Sequence, residues 1–557
     1  MMELIKTLLA DITRKIAPDF KSEILVKITE NKNQGDYTSN VAFTLSKILH
    51  KSPQLAADEL VKKLKSSVSA KSEFSKIEAK NGFINFFLSE ECLKHQLEEI
   101  LSELGTQNLE IGKRTKFQKP SSKLRINVEF ISANPTGPLT IGNGRGGFYG
   151  DALANILGTQ GHKITREFYV NDRGGQILAL GRSIKLAQLR RSPKTKSELR
   201  PQASEGEVND KNLYRGNYIN DLAKKIDKKL SVEEAGQKAV NLILGAYIKP
   251  VIKKLKIKYD VWFSEKSLYR NGIYQRVMRD LMQKDLVYEA DGATWIKTSK
   301  LGDTEDRVLI KSNGDETYFM SDILYHLNKF EIRKFDNVID VWGADHHGDM
   351  LRLSGVLRVL GIDLERLTIL LNQFVRLVSG GEEFKFSKRA GTFITLEELV
   401  DEVGLDAARF FFLMYSLNTH MDFDMALAKE RSQKNPVYYV QYAHARISSI
   451  LRKAGITKLQ APSSKLILLE TKAELNLIRK LIELPEILAD ISKNYEVHRL
   501  PRYALELARE FHNFYEKERV ITEDKKLTSA RLALVMATKI VLANTLNLMG
   551  IKSPDKM

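Results

Sequence analysis

Two short segments of this 557-residue chain carry residue types suited to holding one nucleoside triphosphate between them: Asn134-Pro135-Thr136-Gly137-Pro138-Leu139-Thr140-Ile141-Gly142-Asn143 and Lys385-Phe386-Ser387-Lys388. The first follows an apolar run with strand character, Leu124 to Ile131, and leads into a helix expected from about Gly144 to Leu157. A helix N-terminus presents unpaired N–H groups and the positive end of its dipole, so it binds phosphate. Gly142, Gly144, Gly146 and Gly147 are expected to let a bulky anion approach the backbone there. The second segment supplies ammonium groups. Lys385 and Lys388 flank Ser387 and precede Arg389-Ala390-Gly391-Thr392, a basic loop able to close over a departing pyrophosphate. Gly142, Gly144 and Gly147 also satisfy G-x-G-x-x-G, with Glu167 placed to take a ribose hydroxyl, so a dinucleotide-binding oxidoreductase is a rival reading. Spacing argues against it, because Pro135 and Pro138 stand between the strand and the glycines where a tight turn is required, and the rival leaves the second segment unexplained.

The pairing resembles the two signature motifs of class I aminoacyl-tRNA synthetases. The residues around it narrow the resemblance to the arginyl-tRNA synthetase family: Val128-Glu129-Phe130-Ile131-Ser132-Ala133-Asn134, Tyr259-Asp260-Val261-Trp262-Phe263-Ser264-Glu265 and Val341-Trp342-Gly343-Ala344-Asp345-His346-His347-Gly348. It extends from Gly35-Asp36-Tyr37 to Pro554-Asp555-Lys556-Met557. The resemblance implies an α/β Rossmann-type catalytic domain with a parallel sheet, an α+β N-terminal tRNA-binding domain and an all-α C-terminal anticodon-binding bundle. It implies ATP with Mg²⁺, L-arginine and tRNA(Arg) as the reaction's partners, with arginyl-tRNA, AMP and pyrophosphate as products, and activation of arginine only when tRNA is bound. The amino acid's carboxylate is already ionised when it attacks the α-phosphate. Catalysis therefore falls to in-line positioning and to cations that neutralise charge on the transferring and leaving phosphates.

The resemblance also assigns residues. Thr140, Asn143, Lys385 and Lys388 match catalytic positions, and Pro138, Gly142, Gly144, Gly343, His346, His347 and Ser387 match positions around ATP. Thr140 and Asn143 stand where the family usually has histidines, and Phe386 where it usually has methionine. An asparagine amide can still donate a neutral hydrogen bond to a phosphate or ribose oxygen, whereas a threonine hydroxyl is shorter than imidazole and carries no charge. A guanidinium, with five donors in a planar fork, is read best by carboxylates, which makes Asp322 and Glu265 the candidates for arginine. Tyr318 lies one helical turn before Asp322 if the segment is helical, and Ser132, Asn134 and Asp345 match positions near the α-amino group. Phe83 and Asn85 match a segment that meets the outer corner of tRNA, and Tyr438, Tyr439, Tyr442 and Arg446 are candidates for stacking anticodon bases. Adjacent His346 and His347 without a third ligand at suitable spacing make a poor zinc site, so no protein-bound metal is expected.

Composition bounds the rest. A net charge of +17 favours a polyanionic partner, and 43% apolar residues suffice for several cores. The single cysteine, Cys92, excludes a disulfide framework and a multi-cysteine zinc site, and suits a cytoplasmic protein. No apolar run approaches the ~20 residues of a membrane span. Met1 to Lys15 reads as an amphipathic helix. The expected division is residues 1–115, then 123–427 with an insertion at about 175–260, then a helical 428–557, in a monomer. A polar linker at Arg114 to Lys123 marks the first boundary, and polar stretches at Gln188 to Lys211 and Gln460 to Lys465 read as exposed connections.

Overall fold

The computed structural model describes residues 1–29, 31–66, 72–105, 123–190, 213–270, 272–383, 394–456 and 463–557. They form two compact units, one of residues 118–437 and 548–551, the other of residues 1–117, 438–547 and 552–557.

The first unit is built on a five-stranded, wholly parallel sheet in the order Leu367–Asn372, Asn337–Gly343, Arg125–Glu129, Lys163–Val170, Val261–Ser264. Successive strand residues point to opposite faces, and the two faces differ in chemistry. One carries Val128, Phe130 and Phe168, all fully buried, and Gly146 and Gly150 of the first-motif helix, Ile141–Thr159, lie against Val341 and Phe130 of this face. The other carries Glu129, Glu167 and Asp340, whose partners come from the helix Tyr318–Leu327 and the π turn Asn328–Ile332. A small mixed sheet, Glu382–Glu383, Val375–Ser379 and Met421–Asp424, flanks the second motif. The motif itself, Lys385 to Lys388, lies outside the described residues.

The second unit joins the two ends of the chain. An antiparallel sheet, Val26–Ile28, Tyr37–Ser39, Phe83–Leu88, Phe74–Lys80, packs with helices that include Met2–Ile16, whose Ile5, Leu9 and Ile12 are buried as its amphipathic pattern predicts. The C-terminal part is all helical, from Lys472–Ile482 through Lys525–Leu548. The N-terminal and C-terminal parts share buried polar contacts. Asp36 accepts from the Leu88 N–H at 2.8 Å and pairs with Arg479 at 3.2 Å, and the Met2 N–H donates to Glu486 at 2.7 Å. Gly35-Asp36-Tyr37 therefore serves as an internal fastener. Among the described residues only Lys525–Leu548 is long and apolar enough to cross a membrane, and most of it is buried in the bundle.

The polar stretch from Gln188 was expected to be an exposed connection, but its start is the end of the helix Gly175–Arg190. Gln188 is buried there and donates to the carbonyls of Ala223 and Ile226 at 3.2 and 2.8 Å. A side-chain amide can cap a neighbouring helix end in the interior, which a composition count misses. The remainder of that stretch, most of the linker at Arg114 to Lys123, and Gln460 to Pro462 lie outside the described residues.

Candidate active site

The candidate residues gather at the carboxyl edge of the parallel sheet. Ser132 and Asn134 follow Arg125–Glu129, Glu265 follows Val261–Ser264, and Asp345 and His346 follow Asn337–Gly343. The chain enters at the central strand, proceeds to Lys163–Val170 and Val261–Ser264 on one side, and returns to Asn337–Gly343 on the other. Ligands of doubly wound sheets bind where the strand order reverses in this way.

At the reversal the backbone is strained. Ile131 and Ser132 have φ of +66° and +38°, a region that costs a β-branched residue about 1–3 kcal/mol. The distortion brings the Ser132 hydroxyl oxygen to the Tyr169 N–H, from which it accepts at 3.0 Å, and leaves Asn134 exposed. Thr140 caps the first-motif helix. Asn143 Oδ1 accepts both the Thr140 N–H at 2.8 Å and its hydroxyl at 2.9 Å. The Thr140 hydroxyl is thus spent on Asn143, and Asn143 keeps its Nδ2 as a donor at the helix mouth.

Of the glycines expected to admit an anion, only Gly142 is open, with Thr140 Oγ1 as its one neighbour at 3.8 Å. A Cβ on Gly144 would be driven into Leu396, and one on Gly147 into Ile131. Gly144 and Gly147 therefore make room for protein rather than for phosphate, and Gly146 is likewise buried, against Val341 and Asn372. This contact with Leu396 ties the first-motif helix to the segment beyond the second motif. Leu396, at the start of the helix Leu396–Val403 just beyond the second motif, donates its N–H to the Leu139 carbonyl at 2.9 Å, and Thr395 forms a β-bridge with Thr140. Arg145 adds a second tie that the sequence did not suggest. Fully buried, it donates to the carbonyls of Gln373 at 3.0 Å and Ser416 at 2.6 Å, beside the strands that frame the second motif, and burial lowers its pKa to about 10. Gly144→Ala is expected to cut kcat about tenfold or more, since overpacking costs ~1–3 kcal/mol at a site that sets the motif spacing. Leu396→Val should restore part of the loss in the double variant, and additivity of the two changes would refute the coupling.

Farther along the edge is a cluster of acidic residues. Glu265 is buried, accepts from the Ser321 hydroxyl at 2.7 Å and from Asn171 Nδ2 at 3.4 Å, and burial raises its pKa. Tyr318 and Asp322 share the helix Tyr318–Leu327 as the spacing predicts, with Tyr318 exposed and Asp322 partly buried. The Asp322 carboxylate meets no hydrogen-bond donor or cation among the described residues. Its pKa is raised well above the carboxylate range by desolvation, with Asp349, Glu129, Glu265 and Asp340 adding to the effect. Tyr169, whose buried hydroxyl has no partner among the described residues, and Tyr269, which shares Ser321 at 2.9 Å, adjoin the cluster and were not evident in the sequence. Tyr169 could have been flagged as the penultimate residue of a central strand. Glu167 is fully buried beneath Arg333 and Tyr325, so it offers nothing to a ribose, and the dinucleotide reading loses its acidic residue.

On the other side of the switch point, Asp345, His346 and His347 are exposed, and His346 Nδ1 lies 2.7 Å from Asp349. A Cβ on Gly343 would meet the tip of the exposed Asp345 carboxylate, which is free to swing aside. In the other unit, Phe83 is 41% exposed and packs edge-on against Phe43 with centroids 5.0 Å apart. Asn85 is buried instead, its Oδ1 accepting from Thr38 at 2.9 Å, so its acceptor is not presented to a base. Tyr438 and Tyr442 are half-buried and stack at 9° with centroids 6.4 Å apart, Tyr439 packs on His512 at 5.1 Å, and Arg446 is exposed over the Tyr515 ring at 4.8 Å.

A doubly wound parallel sheet with a glycine-bearing helix opening at its reversal, packed against the segment just beyond a basic motif, has the architecture of a class I aminoacyl-tRNA synthetase core. Family models agree: "tRNA synthetases class I (R), catalytic domain" matches residues 101–415, "Arginyl tRNA synthetase N terminal domain" matches 3–88, and "DALR anticodon binding domain" matches 440–557. The arginine–tRNA ligase of Dehalococcoides mccartyi is 43% identical over 553 residues, covering 97% of this chain and 95% of its own. That of Aquifex aeolicus is 39% identical over 599 positions, covering both chains completely. The Thermus thermophilus arginyl-tRNA synthetase structure, at 23% identity and a TM-score of 0.77 over the whole of both chains, shares the fold. The chain belongs to the arginyl-tRNA synthetase family. Its reaction is the ATP-dependent ligation of arginine to tRNA.

Proposed function

We propose that the pocket of Asp322, Glu265 and Tyr318 binds the guanidinium of L-arginine, with Ser132, Asn134 and Asp345 around its α-amino group. The observation that carries this reading is the Asp322 carboxylate, partly buried near four other carboxylates with no cation of its own among the described residues. A buried anion of that kind is completed by a ligand that brings the charge. Pro138, Gly142, Gly343, Ser387, His346 and His347 then surround ATP, Asn143 donates to its phosphates through Nδ2, and Lys385 and Lys388 neutralise the leaving pyrophosphate. Mg²⁺ enters with the nucleotide, as its usual companion on phosphate oxygens. No group of three His, Cys, Asp or Glu side chains among the described residues could cage a metal.

The acyl phosphate forms when the arginine carboxylate attacks the α-phosphorus and the bond to pyrophosphate breaks, and the tRNA's terminal ribose hydroxyl then displaces AMP. The tRNA is tRNA(Arg), engaged by Phe83 in the N-terminal domain, residues 1–115, and by Tyr438, Tyr439, Tyr442 and Arg446 in the helical domain, residues 428–557. The enzyme acts as a cytoplasmic monomer. The deciding experiment charges total tRNA with each of the twenty amino acids in the presence of ATP and Mg²⁺, alongside Lys388→Ala. Incorporation of arginine alone, reduced about 10²-fold or more by the substitution, is expected for the loss of a group that stabilises transition-state charge. Undiminished charging by Lys388→Ala would remove that lysine from the chemistry.

A further inference from the structure

Glu129, Glu167 and Asp340 stand side by side at one register level on three adjacent strands, Asp340 opposite Glu129 and Glu129 opposite Glu167. All three are buried. Among the described residues, every charged or hydroxyl partner of this row comes from one short run of the helix that carries Asp322 and of its continuation. Lys329 Nζ, with no exposure, bonds Glu129 at 2.6 Å and Asp340 at 2.7 Å, Tyr325 donates to Glu167 at 2.5 Å, and Arg333 pairs with Glu167. Residues 328–332 form a π turn, which takes more residues per turn than an α turn. Tyr325, Lys329 and Arg333, spaced by four, therefore hold one face with less angular drift than an α-helix would impose.

His326 is the link back to the pocket. Its Nδ1 lies 2.7 Å from the carbonyl oxygen of Asp322, and its Nε2 lies 2.8 Å from Asp340 Oδ2. A carbonyl only accepts. Although burial opposes ionisation of Asp340, Lys329 and His326 hold its carboxyl below the usual range, so it accepts too. The imidazole lies between these two oxygens and bridges sheet and pocket backbone. Trp342 packs edge-on to the ring at 6.1 Å and fixes its plane. Buried ion networks are weak contributors to stability, because apolar residues of like volume serve as well or better. What the row supplies is geometry: separately directed bonds that fix the rotation and height of the helix presenting Asp322.

We propose that His326 is a positioning residue for arginine, transmitting the placement of the Asp340–Glu129–Glu167 row to the carboxylate that reads the guanidinium. This rests on the assignment of Asp322 to the guanidinium. The test is steady-state aminoacylation by His326→Leu, His326→Gln and Asp322→Asn, with KM for arginine and for ATP measured separately and thermal melting recorded. His326→Leu should raise the arginine KM about tenfold or more, a change of ~1.4 kcal/mol, with the ATP KM within about twofold. His326→Gln, which keeps a donor toward Asp340, should recover part of that loss, and it decides the matter if the leucine variant is insoluble. In the Asp322→Asn background the His326 effect should shrink, because both changes remove the same interaction. If Asp322→Asn raises the arginine KM while the His326 variants only lower the melting temperature, the pocket stands and the positioning role falls. If Asp322→Asn leaves the arginine KM unchanged, the pocket assignment itself falls.

Discussion

Asp322→Asn is expected to raise the KM for arginine about 10²–10³-fold while making the unliganded protein more resistant to heat. The loss follows from breaking a desolvated charge pair, which costs ~2–5 kcal/mol, and the factor is read at ~1.4 kcal/mol per tenfold. The gain follows from the same carboxylate, which in the free protein is desolvated near Asp349, Glu129, Glu265 and Asp340 and has no cation of its own among the described residues. Strained or uncompensated sites of this kind trade stability for function. The pH dependence has a definite sign. Because the folded carboxyl has the higher pKa, the stability it contributes is intact below the ordinary carboxylate range and is lost as pH rises from that range through the raised value. Arginine binds the ionised form and releases a proton, so its KM should fall as pH rises toward the raised pKa, and the asparagine variant should show no such slope. Melting curves with and without arginine, together with aminoacylation kinetics across pH, check all three statements. A variant that melts lower and keeps its arginine KM would refute them.

The largest loss of stability is expected from Arg409→Met. Arg409 is completely buried, donates to Asp151 Oδ2 at 2.9 Å and to the carbonyls of Leu255 at 2.7 Å and Met549 at 3.0 Å, and lies over the Phe148 ring at 4.9 Å. Removing the guanidinium leaves a buried carboxylate with only Arg166, at 3.7 Å, and orphans two carbonyls. Breaking a buried pair by removing one partner costs ~3–5 kcal/mol, a large share of the ~5–15 kcal/mol by which proteins are stable. Urea denaturation should show that loss in the midpoint, and Asp151→Asn should return part of it in the double variant. An unfolding free energy within about 0.5 kcal/mol of the parent would show that the interior relaxes around the vacated site.

The elements that position the site were legible where the local pattern is strong. The apolar run Leu124 to Ile131 contains the strand Arg125–Glu129, and the spacing of Tyr318 and Asp322 matched a real helix. The first-motif helix was placed well, yet the purpose of its glycines was not, since Leu396 and Ile131 meet Gly144 and Gly147 only after distant segments pack. Buried charges were the main blind spot. Glu129, Glu167 and Asp340 come into one row through parallel pairing, whose register is set by the whole sheet rather than by any one strand. Arg145 and Arg409 read as surface residues by type, because burial of arginine is rare without a partner that only the fold supplies.

The interleaving of the two units bears on how the chain can be made. Residues 1–117 complete their unit with residues 438–547 and 552–557, and the catalytic unit is itself closed by residues 548–551, which supply the Leu548 carbonyl to Asn155 and the Met549 carbonyl to Arg409. At a synthesis rate of ~5–20 residues per second, the N-terminal sheet waits tens of seconds for the helices that bury its Asp36 side. Neither unit can finish folding until residues 548–551 have emerged, so maturation is gated by the last helix rather than proceeding segment by segment. Nascent chains halted before that point should remain open to protease along their whole length, whereas a tandem array of independent modules would protect its first module early.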